Sequence, residues 1–402
     1  MKLTQIHLSN FQSFGPESTL IDMAEMTFVL GPNGTGKTAV LQALVRLFGM
    51  DPSLRRIRKT DFHVAAGAPA GAHAAATLWI EAQFEFPELT EKTKGKHPSV
   101  PGHFAHMRLE SADGVPRVRF RLSAQMDDDG EIEESMVYVL QVDAEGKPSK
   151  SAVASKNDHS SIQVHYLPAR RDPSDHVSYA ANSLLGRALR AADWRAEREA
   201  VTGLTEAIGR ALAGNAAIQG VGAKLTTHWG SLHKGAYYAN PSLSFERSEI
   251  DNLLRHLTVS FTPGHAEPLV DFSRLSDGQQ SLLYLSLVLS MQSIGREVLA
   301  NKLPAFDIDK LRPAVFTLIA MEEPENSLSP HYLGRVIKAL TTFSKEHDSQ
   351  AIVATHAPSL LRRGDLHPGR ERKAAASPEL EGGRRRYAHH GTAVESRART
   401  DE

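Results

Sequence analysis

The 402-residue chain is predicted to be an α/β protein built around a phosphate-binding loop, its core interrupted by a β-rich lobe and a helical insertion. Three observations predict this. Residues 31–38 read GPNGTGKT between an apolar strand pattern, Met26–Leu30, and a helical one, Ala39–Val45. After residue 270 long apolar helices alternate with short buried strands, the pattern of a parallel sheet. Between these halves the period is two over residues 75–168 and helical over 176–260.

The N-terminal half of the core (1–60) reads strand, strand, loop, helix. In the spacing G-x-x-x-x-G-K-[ST], Gly31 and Gly36 let the backbone fold around phosphates without side-chain clashes. Asn33 and Gly34 complete the cradle, whose N–H groups and following helix present partial positive charge. Lys37 is placed to reach the β/γ-phosphates, and the Thr38 hydroxyl to ligate Mg²⁺.

The β-rich lobe (61–175) follows from alternation at Leu78, Ile80, Ala82, Phe84 and Phe86, at Val118, Phe120 and Leu122, and at Ile162, Val164 and Tyr166. Asp127-Asp128-Asp129-Gly130 lacks the ligand spacing of a calcium loop and reads as a hairpin turn. His103 and His106 have no partner acids or cysteines beside them and mark no metal site. The helical insertion (176–265) is read from Leu204, Ile208 and Leu212, and from Ile250, Leu253, Leu254 and Leu257 behind a Ser248 cap. It is a candidate dimerisation arm.

The C-terminal half of the core (266–361) carries the acids. The strand Leu318–Met321 runs into Glu322-Glu323, which sets carboxylates at the carboxyl edge of a parallel sheet, beside the phosphate loop. Glu322 is assigned to hydrated Mg²⁺ and Glu323 to the attacking water. From about residue 362 large aliphatics and periodicity vanish, and the tail (362–402) reads as disordered or as a shifted reading frame.

Apolar and charged fractions of 41% and 23% are those of a globular protein, and a net charge of −1 confines any nucleic-acid contact to local patches. One such patch is Arg55, Arg56, Arg58 and Lys59. The absence of cysteine excludes a disulfide framework and cysteine-based zinc sites, and fits a reducing compartment. The N-terminus lacks the apolar stretch of a signal peptide, and the run Leu282–Met291 is too short to span a bilayer. The expectation is a cytoplasmic protein with no membrane partner.

Leu275-Ser276-Asp277-Gly278-Gln279 ahead of a helix resembles the LSGGQ signature of the ABC-type ATPases. The resemblance implies that Ser276, Gly278 and Gln279 bind the γ-phosphate of ATP held by the opposite subunit of a homodimer. It also implies that His356, after Thr355, senses that phosphate as the switch histidine. Ser9-Asn10-Phe11, LSDGQQSLLYLSL, EEPEN, ATHAPSLL and Tyr166–Asp172 resemble more closely the overcoming-lysogenisation-defect (OLD) ATP-dependent nucleases of the RecF/SMC-like branch. That likeness covers about residues 1–361. It implies ATP and Mg²⁺ as cofactors, an AAA/ABC-type ATPase activity, DNA contact and a role in DNA processing or phage defence. Two departures stand out. The glutamine that relatives place at the lobe junction is replaced by Ala169-Arg170, with Gln83 a poor substitute inside its strand. The residues after His356 are too few and too polar for the family's Toprim nuclease domain, so cutting is expected from a partner or a lost domain. A RecF/SMC-like repair clamp and a truncated remnant stay open as alternatives.

Overall fold

Alternating burial turns the first strands into an antiparallel sheet with one apolar face. The computed structural model describes residues 1–65, 77–89, 108–109, 114–127, 129–143, 147–168, 183–232, 241, 254, 257, 259–262, 270–360 and 374–376. They fall into two units: residues 1–173, 275–300 and 312–402, and residues 174–274 and 301–311.

In the first unit, β1 (Lys2–Ser9), β2 (Thr19–Asp22), β4 (Thr77–Glu85), β5 (Arg108–Leu109), β6 (Pro116–Met126), β7 (Ile132–Val142) and β8 (Pro148–Val153) form the antiparallel sheet, ordered β2-β1-β4-β6-β7-β8 with β5 on β6. Leu78, Ile80, Ala82 and Phe84 point into the core. On the other face of the same strands, Arg121 and Arg117 pair with Glu81 and Glu85, as period-two geometry requires. The turn between β6 and β7 is closed by Gly130 N–H to Asp127 O (3.0 Å) and Glu131 N–H to Asp127 Oδ1 (2.8 Å). This is the hairpin expected there.

A second, parallel sheet is ordered β14 (Ala374–Ala376), β3 (Met26–Leu30), β13 (Ser349–Thr355), β12 (Phe316–Glu322), β9 (Ile162–Leu167). Every residue of β12 and β13 is buried, which is why these strands read as continuous apolar runs. The helix Lys37–Phe48 lies between the sheets. Phe48 meets Phe84 and Phe120 edge-on at centroid distances of 5.7 and 5.5 Å, and Phe84 meets Phe316 at 5.4 Å. Each such pair contributes about 0.5–1.5 kcal/mol beyond its buried area. This aromatic block joins both sheets into one core.

The helix Pro330–Phe343 buries Leu333, Val336, Ile337 and Leu340. The helix Asp277–Leu299 begins just after Ser276. Among the described residues it is the one helix long and apolar enough to cross a membrane. Its C-terminal half is instead tied to the parallel sheet: Gln292 Oε1 accepts from Thr317 Oγ1 (2.6 Å), and Arg296 Nε donates to Asp348 Oδ2 (2.8 Å).

Two strand placements differ from the sequence reading. Ile162, Val164 and Tyr166, grouped with the β-rich lobe by their alternation, pair in parallel with β12. β1 and β2, grouped with the core half, pair within the antiparallel sheet. Period two identifies a strand and not the sheet it joins.

The second unit holds the helices Leu184–Ala191, Arg195–Ala213 and Ala216–Leu232 and a short pair, β10 (Ser260–Phe261) with β11 (Val270–Asp271). Ser183 caps the first helix by accepting from Gly186 N–H (2.9 Å). The expected stripe on the second helix does not form a core: Leu204 and Ile208 are 67% and 57% exposed. Ser248, Ile250, Leu253, His103, His106, Ala169–Asp172 and the tail apart from β14 lie outside the described residues.

Candidate active site

Strand order and register bring the motifs together. Leu30 of β3 pairs with Thr355 of β13, and Ala354 pairs with Glu322 of β12. The phosphate loop, His356 and the two glutamates therefore leave the carboxyl ends of three adjacent parallel strands, the edge where α/β sheets bind ligands.

The loop has the expected backbone. Gly34 and Gly36 have φ of +83° and +91°, a region costly for residues with a Cβ. A Cβ on Gly36 would lie 2.6 Å from Ser13 Oγ, so the 10–15 turn presses against the loop. Asn33 and Gly34 are exposed and Gly31 half-exposed at the loop's surface. Lys37, 5% exposed, donates to the carbonyls of Gly31 and Pro32, both at 2.8 Å.

The Thr38 hydroxyl donates to Glu322 Oε1, closing a contact across 284 residues of sequence between the loop helix and β12. The other carboxylate oxygen, Oε2, accepts from the Tyr166 hydroxyl at 2.6 Å. Burial first, and then the Glu322 hydrogen bond and charge, push the Tyr166 phenol far above its ordinary range, so it stays a donor. Among the described residues no cluster of three or more His, Cys, Asp or Glu is arranged for a metal. One hydroxyl and one carboxylate is the sparse, hard-oxygen set that suits Mg²⁺ when phosphates complete the shell.

Glu323 sits at φ +41°, in the left-handed region, with its N–H bonded to Ala354 O at 2.8 Å. This strained turn swings its side chain away from that of Glu322. Glu323 Oε2 accepts from Asn326 Nδ2 (2.7 Å), and Oε1 lies 3.8 Å from His356 Nδ1. Glu325, which sequence reasoning left without a role, holds the histidine turn. Its Oε1 accepts from the Thr355 hydroxyl and from His356 N–H (3.0 Å), and lies 3.3 Å from His356 Nδ1.

Ser276 caps the helix Asp277–Leu299 in a reciprocal box with Gln279. Its N–H donates to Gln279 Oε1 at 3.0 Å, and both side chains are exposed. A Cβ on Gly278 would lie 2.4 Å from the carbonyl oxygen of Ser327, so this turn is seated on the segment just beyond Glu323. Gln83 is engaged elsewhere, accepting from Arg119 Nε at 2.9 Å within the antiparallel sheet. The basic cluster follows the loop helix as expected, with Arg56, Arg58 and Lys59 exposed and Arg55 partly buried.

The chain is similar to several known proteins. A 51-residue stretch is 45% identical to the chromosome partition protein Smc of Synechococcus, covering 13% of this chain and 4% of that protein's length. Among solved structures, the SMC head domain from Thermotoga maritima matches at 15% identity over 98% of this chain and 100% of that one, with a TM-score of 0.38. The Smc head domain bound to the C-terminal domain of ScpA, derived from Pyrococcus furiosus, matches at 13% identity over 90% and 92%, with a TM-score of 0.44. The family model AAA_21, described as "AAA domain, putative AbiEii toxin, Type IV TA system", matches residues 26–362. That span runs from β3 through the phosphate loop, both glutamates and His356, and the chain belongs to this family of AAA domains.

Proposed function

We propose that the protein is an ATP-hydrolysing head of the ABC type, of the OLD kind, that works as a homodimer closing on two ATP molecules. The observation that carries this reading is the meeting of Thr38 and Glu322 at the mouth of the glycine loop. A site for a metal-bound phosphate places such a hydroxyl and carboxylate side by side.

The loop's N–H groups and the start of the helix Lys37–Phe48 bind the phosphates, and the Lys37 ammonium exchanges its two carbonyl partners for phosphate oxygens. Thr38 and Glu322 would hold Mg²⁺, which would supply neutralisation of the charge shared by the transferred phosphoryl group and the leaving group. Glu323, fixed by Asn326, accepts the proton of the attacking water. His356 is held by Glu325 beside Glu323 and senses whether the γ-phosphate is present. Ser276 and the N-terminus of its helix complete the site of the opposite copy. Hydrolysis removes the bridging phosphate and reopens the dimer.

DNA is the assigned macromolecular partner, with Arg56, Arg58 and Lys59 as backbone contacts, and the cytoplasm the assigned compartment. No nuclease residues are assigned to the chain. The reading is tested by ATPase assays on the full chain with and without duplex DNA. Wild type hydrolyses ATP and is stimulated by DNA without cutting it, while Lys37→Ala binds no nucleotide. Tight nucleotide binding by Lys37→Ala would refute the site. Hydrolysis indifferent to DNA would remove the DNA assignment alone.

A further inference from the structure

The strand β9 supplies Tyr166 from a neighbouring strand of the same sheet. Tyr166 is in register with Ala320, two residues before Glu322, so its side chain projects from the sheet beside that of Glu322. Its ring packs against the common core, and its hydroxyl donates to Glu322 Oε2. Gln42 follows Thr38 by one turn on the phosphate-loop helix. Gln42 Oε1 in turn accepts from Gln12 Nε2 (2.5 Å), which also donates to Asp61 Oδ1 (2.9 Å). Asp61 is anchored by Arg46 Nε at 2.7 Å. Gln12 thus ties Gln42 on the phosphate-loop helix to the buried Asp61–Arg46 ion pair.

We propose that Tyr166 is a positioning residue for Mg²⁺. Gripping Glu322 Oε2 while Thr38 holds Oε1, it fixes the carboxylate plane and fills the orienting role left open where Ala169-Arg170 replaces the lobe-junction glutamine. A carboxylate held through both oxygens cannot rotate away from a metal. Partners of this kind, one step removed from the ion, set metal affinity as strongly as some direct ligands do. The proposal rests on the Mg²⁺–ATP reading above. It adds a residue that touches neither nucleotide nor metal.

The test is a fluorescent-ATP binding titration of the full chain, first in EDTA and then against Mg²⁺, for wild type and Tyr166→Phe. Loss of the hydroxyl is expected to raise the Mg²⁺ concentration for half-maximal effect about 10–100-fold. Metal-free nucleotide affinity and the melting temperature in EDTA stay unchanged, which a merely structural role would not allow. An unaltered Mg²⁺ dependence in Tyr166→Phe overturns the proposal. Should that variant fail to fold, Tyr166→Met, which also lacks the hydroxyl but fills the space adaptably, is titrated in its place. It is expected to shift the Mg²⁺ midpoint in the same direction, and no shift overturns the proposal equally. If wild type itself shows no Mg²⁺-dependent nucleotide binding, the ATPase reading fails and takes this inference with it.

Discussion

Replacing Gly278 with alanine adds one methyl group where the signature turn meets the segment after Glu323. The new Cβ would lie 2.4 Å from the carbonyl oxygen of Ser327, about 1 Å inside the closest ordinary contact. The obstacle is backbone, and no side-chain rotation relieves it. The turn and the 324–329 segment must separate by about that 1 Å, at a stability cost of about 1–3 kcal/mol typical of overpacking. A displacement of this size at a catalytic group lowers rate by about 100-fold. Gly278→Ala is therefore expected to fold, to bind ATP at the phosphate loop with wild-type affinity, and to lose about two orders of magnitude in kcat. Steady-state phosphate release measures the rate, and fluorescent-nucleotide titration with a thermal melt measures the rest. A variant turning over within threefold of wild type with an unshifted melt would show that this close approach has no role.

Other perturbations reach the supports of the site. Asp61 and Arg46 are 1% and 6% exposed and are joined at 2.7 Å. Asp61→Ala strands a buried guanidinium and is expected to cost about 3–5 kcal/mol in urea unfolding, whereas Asp61→Leu with Arg46→Met is close to neutral. Equal losses for both would mean that the pair's charge is not what matters. Thr38→Ala is expected to keep nucleotide binding in EDTA and lose its enhancement by Mg²⁺, and retained enhancement would take Thr38 out of the metal site. His7 on β1 has its pKa lowered, chiefly by burial, with the Glu81 charge opposing. The unfolded chain then binds more protons at this position between the lowered folded pKa and the unfolded value of about 6.5. Stability at this residue is full above that value and falls as pH drops through it. Urea midpoints at pH 7.5 and 5.5 are expected to differ less for His7→Gln than for wild type, and an unchanged difference would show that His7 contributes nothing to the acid sensitivity.

The phosphate loop and the paired glutamates were legible because their chemistry is local. Glycine spacing fixes the loop, and a greasy strand ending in acids fixes the sheet edge. The contact between Thr38 and Glu322 follows from both motifs sharing one edge. Glu325 and Tyr166 were not legible in their roles. Glu325 sits in the EEPEN run, where nothing local shows that it turns back to Thr355. Tyr166 reaches Glu322 across 156 residues only because β9 leaves the lobe for the parallel sheet, and alternation carries no information about that choice. The apolar spacing of Leu204 and Ile208 identified a helix correctly, but periodicity does not say whether the apolar face is covered.

The central claim is that Glu323 acts on a water attacking ATP clasped between two copies of this chain. Sedimentation velocity of Glu323→Gln with Mg²⁺ and ATP tests it most directly. A stable dimer retaining one unhydrolysed ATP per chain is predicted, in place of the wild type's turnover and dissociation. A variant that hydrolyses ATP at the wild-type rate, or stays monomeric with ATP bound, would contradict the account.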